Sequence, residues 1–164
     1  MSSSSPLLDK AKVVAALLAQ VRAELDGMEA VAEAARDEAT SSETKAEGKY
    51  DTRATEASYL ARGQAWRVLA LRKQVAWLSS EAPLRALSEP MVQVGSLVTV
   101  EGPRTDLLFV APIGGGRVDV EGQTVLVISP SAPLGEAMVE LEVDDTFEVD
   151  SPRGLLHYTI TAIW

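Results

Sequence analysis

The sequence predicts an α+β chain: an N-terminal antiparallel helical hairpin with coiled-coil character, then a small antiparallel β domain carrying one short helix. Three observations carry this. Up to residue 89 the apolar residues recur at alternating steps of four and three, the signature of packed helices. From residue 90 the apolar runs are short, β-branched and partly alternating, and are bounded by Gly, Pro and Asp. Charge divides at the same place: residues 1–89 hold 12 Lys+Arg against 13 Asp+Glu, whereas residues 90–164 hold 3 against 11, so the second half carries nearly all of the net charge of −9.

In the first helix, Val14, Leu18, Val21, Leu25, Met28, Ala32, Ala35 and Ala39 form a heptad seam. The "VVAALLA" run at its start follows two lysines but continues with helical periodicity, so it reads as amphipathic helix rather than a secretory leader. No apolar run approaches the roughly 18 residues needed to span a membrane. A second seam runs Ala57, Ala61, Gln64, Val68, Leu71, Val75, Leu78. Two seams joined by a short link are both satisfied by folding back, which gives arms of about 30 residues, roughly 45 Å long. Both seams shrink to alanine toward the bend. The thick end sets Leu71, Val75, Trp77 and Leu78 against Val14 and Leu18. Residues 1–89 are therefore expected to be the hairpin, with a tip near 40–54 and a hinge at Pro83 and 88–90; residues 90–164 are the second domain.

In that domain "SLVTV", "DLLFVA", "RVDV", "QTVLVI", "TFEVD" and "LLHYTITAI" read as strands. "IGGGRV" at 113–118 reads as a hairpin turn, because consecutive glycines supply positive φ. "APLGEAMVEL" at 132–141 is the one helical candidate.

Composition narrows the function classes. The chain has no cysteine, which removes disulfides and thiolate metal sites and favours a reducing, cytoplasmic setting. Its acidity makes it a poor phosphate binder, so nucleic acid is expected to be met only indirectly, through a protein partner. An acidic domain suits a basic partner surface, or simply keeps the chain in solution. The single histidine, His157, lies in a strand, no GxSxG elbow is present, and "GGGR" at 114–117 lacks the spacing of a phosphate loop. The chain is expected not to be an enzyme by itself.

The bend is richer. Asp37, Glu38, Glu43, Glu47 and Asp51 fall within fifteen residues. Carboxylates at a tip hold a hard cation such as Mg²⁺ through oxygen, and Mg²⁺ takes only one or two of them. Such a tip works when thrust into a site that already holds substrate and metal. Lys45, Lys49 and Arg53 alternate with the acids and can pair with them on a helix face, the plain alternative.

A helical hairpin with an acidic tip, followed by a small β-rich domain, resembles the bacterial Gre-type transcription elongation factors. The most specific part is "VGSLVTVE" at 94–101 and then "VLVISPSAPLGEAMVELEVDDTFEVDSPRGLLHYTITAI", which is similar to the family's strand, Ser-Pro-hydrophobic-Gly turn, short helix, acidic turn and closing strands. Ala132 stands at the serine, followed by Pro133, Leu134 and Gly135; Asp144 and Asp145 match the acidic turn. The resemblance implies an FKBP-like fold for residues 90–164 and bacterial RNA polymerase as the partner. It implies polymerase binding through residues 132–135, and a hairpin reaching through the secondary channel toward the polymerase active centre. It implies no stably bound cofactor, only a Mg²⁺ shared with the polymerase and placed by tip acids.

In cleavage-competent members the tip is similar to Asp-Leu-x-Glu-Asn-x-Glu-Tyr. Setting Tyr50 on the tyrosine puts Glu43 on the aspartate, Ala46 on the essential glutamate, Glu47 on the asparagine and Lys49 on the last glutamate. One residue is a rotation of about 100° on a helix, so Glu47 replaces the missing carboxylate only if the bend is irregular, which Gly48 permits. Glu43, Glu47 and Asp51 remain the candidate Mg²⁺-placing groups, with Lys45, Ala46 and Tyr50 completing the tip. Two outcomes stand: modulation or stimulation of the cleavage of backtracked RNA, or competition and inhibition without cleavage. The loss at Ala46 favours a regulator with weak or altered cleavage. Two readings of other classes are weaker. Prolyl isomerisation needs an aromatic pocket, and residues 90–164 offer only Phe109, Phe147, Tyr158 and Trp164. A structural coiled-coil adaptor explains the seams alone, and exposed seam edges leave room for self-association.

Overall fold

The computed structural model describes residues 8–42 and 52–164 of the chain, with side chains described for 8–38 and 59–164. Two long helices come first, α1 (Lys10–Ser42) and α2 (Thr52–Ser79). Asp9 caps α1: its carboxylate accepts the Ala11 N–H at 2.9 Å, and its carbonyl accepts from Lys12 and Val13. After α2, a 3-10 turn at Ala82–Leu84 holds the buried Pro83. Six strands and one helix follow: β1 (Leu97–Glu101), β2 (Thr105–Val110), β3 (Arg117–Val120), β4 (Gln123–Ile128), α3 (Pro133–Met138), β5 (Thr146–Ser151) and β6 (Gly154–Ile163).

The chain divides into two compact units, residues 19–76 and residues 1–18 with 77–164. In the first, α1 and α2 are joined by two ion pairs, Glu24–Arg67 at 2.6 Å and Glu29–Arg72 at 2.7 Å. The start of α1, up to Leu18, and the end of α2, from Trp77, fall in one unit while the stretches between fall in the other, so the helices are antiparallel. The seam is present but tapers. Val21 and Leu71 are buried, Leu25, Met28, Ala32 and Val68 are half-buried, and Ala35, Ala61 and Gln64 are exposed. Gln74, outside the expected seam, is buried at 8%. A straight helix drifts off a 3.5-residue repeat by about 20° per heptad, which carries Gln74 inward beside Val75.

In the second unit one six-stranded sheet has the order β3-β4-β2-β1-β6-β5. Every ladder is antiparallel except β2–β4, which is parallel and makes the sheet mixed. The glycine run at 113–118 is therefore not a hairpin turn between its flanking strands. It carries the chain past β4, where Gly115 donates to the Val127 carbonyl and Gly116 accepts from the Val127 N–H. The hairpin turn is Glu121–Gly122, both with positive φ, between β3 and β4.

Val98, Val100, Leu108, Val110 and Ile160 form a core with Met138 of α3 and Phe147. On the other face Leu97 and Phe109 are cross-strand partners with no exposure. The Phe109 ring meets Trp77 at 6.0 Å between centroids, so Trp77 serves the sheet rather than the helix seam. Both faces of β1 and β2 are thus covered, which explains their nearly continuous apolar runs. The first turns of α1 belong to this unit: Leu8, Val13, Val14 and Leu17 are buried, and the Trp164 indole N–H donates to the Leu8 carbonyl at 3.1 Å.

Candidate docking site

The chain leaves β4 at Ile128 and turns sharply, with the Ala132 N–H donating to the Ser129 carbonyl at 3.1 Å. Ala132 is extended and Pro133 opens α3, where its fixed φ suits a first helical turn. Gly135 is buried against that turn. A Cβ there would lie 2.0 Å from the Ser129 carbonyl oxygen and 3.1 Å from the Pro130 Cα, so only glycine lets α3 sit this close. The result is a ridge: Pro133 exposed, Ala132 and Leu134 half-buried, Gly135 at the base.

The acidic turn follows α3. The Asp145 carboxylate accepts the Glu142 N–H at 2.8 Å, closing the turn, and Asp144 is held at φ 75 with its N–H on the Ile160 carbonyl. One oxygen of Asp145 is thus spent on backbone, while Asp144 projects from a left-handed position. Glu136, Glu140, Glu142, Asp144 and Asp145 are all exposed, and Val143 between them is 44% exposed. A small apolar ridge beside five carboxylates fits a basic partner surface with an apolar notch.

Residues 87–164, which take in both turns, match the family model described as transcription elongation factor, GreA/GreB, C-term. Residues 87–164 are thus similar to the C-terminal domain of GreA/GreB factors. Among solved structures the chain is similar to Gfh1 of Thermus aquaticus, with 20% identity over 95% of this chain and 96% of that one, at a TM-score of 0.38. It is similar to Gfh1, the GreA factor homolog 1 of Thermus thermophilus, with 19% identity over 90% and 94% and a TM-score of 0.37. A GreA/GreB prokaryotic transcription elongation factor from Nitrosomonas europaea shows 25% identity over 47% of this chain and 63% of that one, with a TM-score of 0.35. No curated protein matches the sequence.

Within residues 90–164 the other candidate groups are held by neighbouring residues. His157 sits opposite Glu148 across the β5–β6 ladder, Nδ1 to Oε1 2.9 Å, with both side chains largely exposed. Phe109 is fully buried, Phe147 stacks on Tyr158 at 5.3 Å, and the Trp164 indole is committed to Leu8. That leaves little aromatic surface for a prolyl-isomerase pocket. Two lysines at the start of α1 meet the domain. Lys10 donates to the Gly95 carbonyl at 3.0 Å, and burial pulls its pKa down. Lys12 pairs with Glu121 in the β3–β4 turn, a hydrogen bond that raises its pKa.

The tip residues Glu43, Lys45, Ala46, Glu47, Tyr50 and Asp51 lie outside the described residues. Among the described residues no group of three or more His, Asp or Glu is placed to hold a metal. No helix among them is long and apolar enough to cross a membrane. Outside the seam of α2, Tyr59, Leu60 and Trp66 are 68%, 68% and 72% exposed, and the Arg62 guanidinium lies 5.8 Å from the Tyr59 ring centroid. The sequence carries the signal, because these large apolar groups fall off the heptad positions.

Proposed function

We propose that this chain is an accessory factor of bacterial RNA polymerase. The Gre-type domain docks through the ridge at residues 132–135, and the helical hairpin carries residues 43–51 into the secondary channel. The observation that carries this reading is the match of residues 87–164 to the GreA/GreB C-terminal model, which includes the whole ridge and its acidic surround. The polymerase owns the chemistry; the chain supplies position and charge, holds no cofactor of its own, and meets RNA only through its partner. Such a partner places it in the cytoplasm.

At the tip, Glu43 and Glu47 help place a Mg²⁺ shared with the polymerase, and Asp51 is the third candidate. Ala46 stands at the family's essential glutamate. That favours a regulator with weak or altered cleavage activity, and gives the competitor reading its specific support. The test is a stalled, backtracked elongation complex mixed with the full chain. Binding to core polymerase that weakens on Pro133→Asp, without loss of stability, is the expected result, because Pro133 is exposed. Absence of polymerase binding refutes the proposal. RNA shortening at saturating protein separates a cleavage factor from a competitor.

A further inference from the structure

At the end of the sheet opposite α3, the β1–β2 turn and the β5–β6 turn enclose a cleft of about 450 Å³. The two ends are distinct in the topology. β2 begins at Thr105 beside the cleft and ends at Val110 paired with Ile128, from which the chain departs for α3. Pro103, Pro152, Leu156 and Tyr158 supply its apolar walls, and Arg104, Arg153 and one carboxylate, Asp106, also line it.

Two features make it more than a surface dent. The first is rigidity. Tyr158 stacks on Phe147, and its Cδ1–Cε1 edge lies against Gly102, where an added Cβ would come within 2.5 Å of the ring. The β5–β6 turn is closed by the Ser151 hydroxyl, which donates to the Gly154 carbonyl at 2.7 Å and accepts the Arg153 N–H at 3.2 Å. A wall fixed in advance loses little entropy on binding. The second is charge. Residues 90–164 hold 3 cations against 11 acids, and two of the three, Arg104 and Arg153, line this one cleft. Arg104 uses its Nε on Asp106 at 2.9 Å, and Arg153 makes no side-chain ion pair among the described residues.

We propose that this cleft binds an acidic peptide segment of a partner protein. One apolar side chain enters against Tyr158 and the two prolines, and flanking carboxylates meet Arg104 and Arg153. The volume lies in the range of small binding sites and suits one large side chain with its backbone. Guanidinium groups pair carboxylates through two parallel N–H donors. A nucleic-acid strand presents the same anionic chemistry, but a polyanion must also approach the eleven carboxylates of this domain, while a short peptide places only two or three charges at the cleft. The site stands whether or not the chain docks on polymerase.

The experiment is amide chemical-shift mapping on the full chain with a blocked Glu-Leu-Asp-Asp peptide, a blocked Lys-Leu-Lys-Lys peptide and a short oligothymidylate. Saturable shifts confined to residues 102–106 and 151–158 are expected with the acidic peptide and not with the basic one. Arg153→Glu and Arg104→Glu should each weaken binding about tenfold or more, and Arg153→Gln by less, with the rest of the spectrum unchanged. No saturable shift at millimolar acidic peptide overturns the proposal. So do shifts that survive both charge reversals, or tighter binding of the oligothymidylate at the same amides.

Discussion

Gly135→Ala tests whether the ridge is built by backbone contact. The added Cβ would sit 2.0 Å from the Ser129 carbonyl oxygen, 2.9 Å from the Ser129 carbonyl carbon and 3.1 Å from the Pro130 Cα. All three are main-chain atoms, so no side chain can swing aside. Restoring ordinary contact near 3.4 Å means moving α3 and the 129–130 segment apart by about 1.4 Å. Met138, four atoms of side chain with no exposure, anchors the other end of α3 in the core, so that motion also opens the packing around Val92 and Phe147. Overpacking of this kind costs about 1–3 kcal/mol, and the gain of about 1 kcal/mol from exchanging glycine for alanine in a helix offsets part of it. The 2.0 Å approach to main-chain atoms puts the cost in the upper part of that range, about 2–3 kcal/mol, so a net loss of about 1–2 kcal/mol is expected, read as a lower midpoint with unchanged slope in urea unfolding followed at the aromatic residues of the domain. Wild-type or higher stability would show that α3 does not need this approach, and the account of the ridge would fail with it.

The remaining predictions use the same logic elsewhere. Gly27 and Gly63 sit inside α1 and α2 with nothing within 4 Å of an added Cβ, so Gly27→Ala and Gly63→Ala should each stabilise the hairpin by about 0.5–1 kcal/mol, visible as a higher midpoint in helix melting followed by circular dichroism. Trp164→Phe removes the donor to the Leu8 carbonyl while leaving Leu8 buried, and should cost about 1–2 kcal/mol in urea unfolding; an unchanged midpoint would place that carbonyl in water. The pairing with Glu121 raises the Lys12 pKa above 10.5, so its stabilisation is full below pH 10.5 and is lost as pH rises through the higher folded value. The stability difference between wild type and Lys12→Met, from thermal melts across alkaline pH, should hold constant and then shrink in that window. Lys10, lowered by burial, acts with the opposite sign: its contribution becomes more favourable as pH rises toward 10.5 and is common to both proteins in that comparison.

Much of the architecture was legible because period and charge change at one place in the chain. The helix seam reads correctly where its residues are large: Val14, Val21, Leu71 and Leu78 are buried. It reads poorly where they are small, since Ala35, Ala61 and Gln64 have little apolar surface to withdraw from water and are exposed. Val13 and Leu17 were missed for a different reason. A heptad assigns a helix one buried stripe, but the first turns of α1 group with the sheet residues and are covered around more of their circumference. The glycine run at 113–118 misled because local turn chemistry was real while the pairing was not local: β4 lies between β2 and β3.

The two candidate sites differ in the same way. The ridge at residues 132–135 is continuous in sequence, so the resemblance to the Gre-type turn points to it, and the structure adds why the glycine is obligatory. The cleft has no such signature. Pro103 and Arg104 belong to one turn and Pro152 and Arg153 to another, and each pair reads alone as an ordinary polar turn. They converge because β6 pairs with both β1 and β5, with Glu101 opposite Thr159 and Ser151 opposite Gly154. Strand register, a property of the whole sheet, sets the spacing of the two guanidinium groups. A substitution that slipped the β1–β6 register by one residue would send Tyr158 to the opposite face and dismantle the cleft without touching a single residue that lines it.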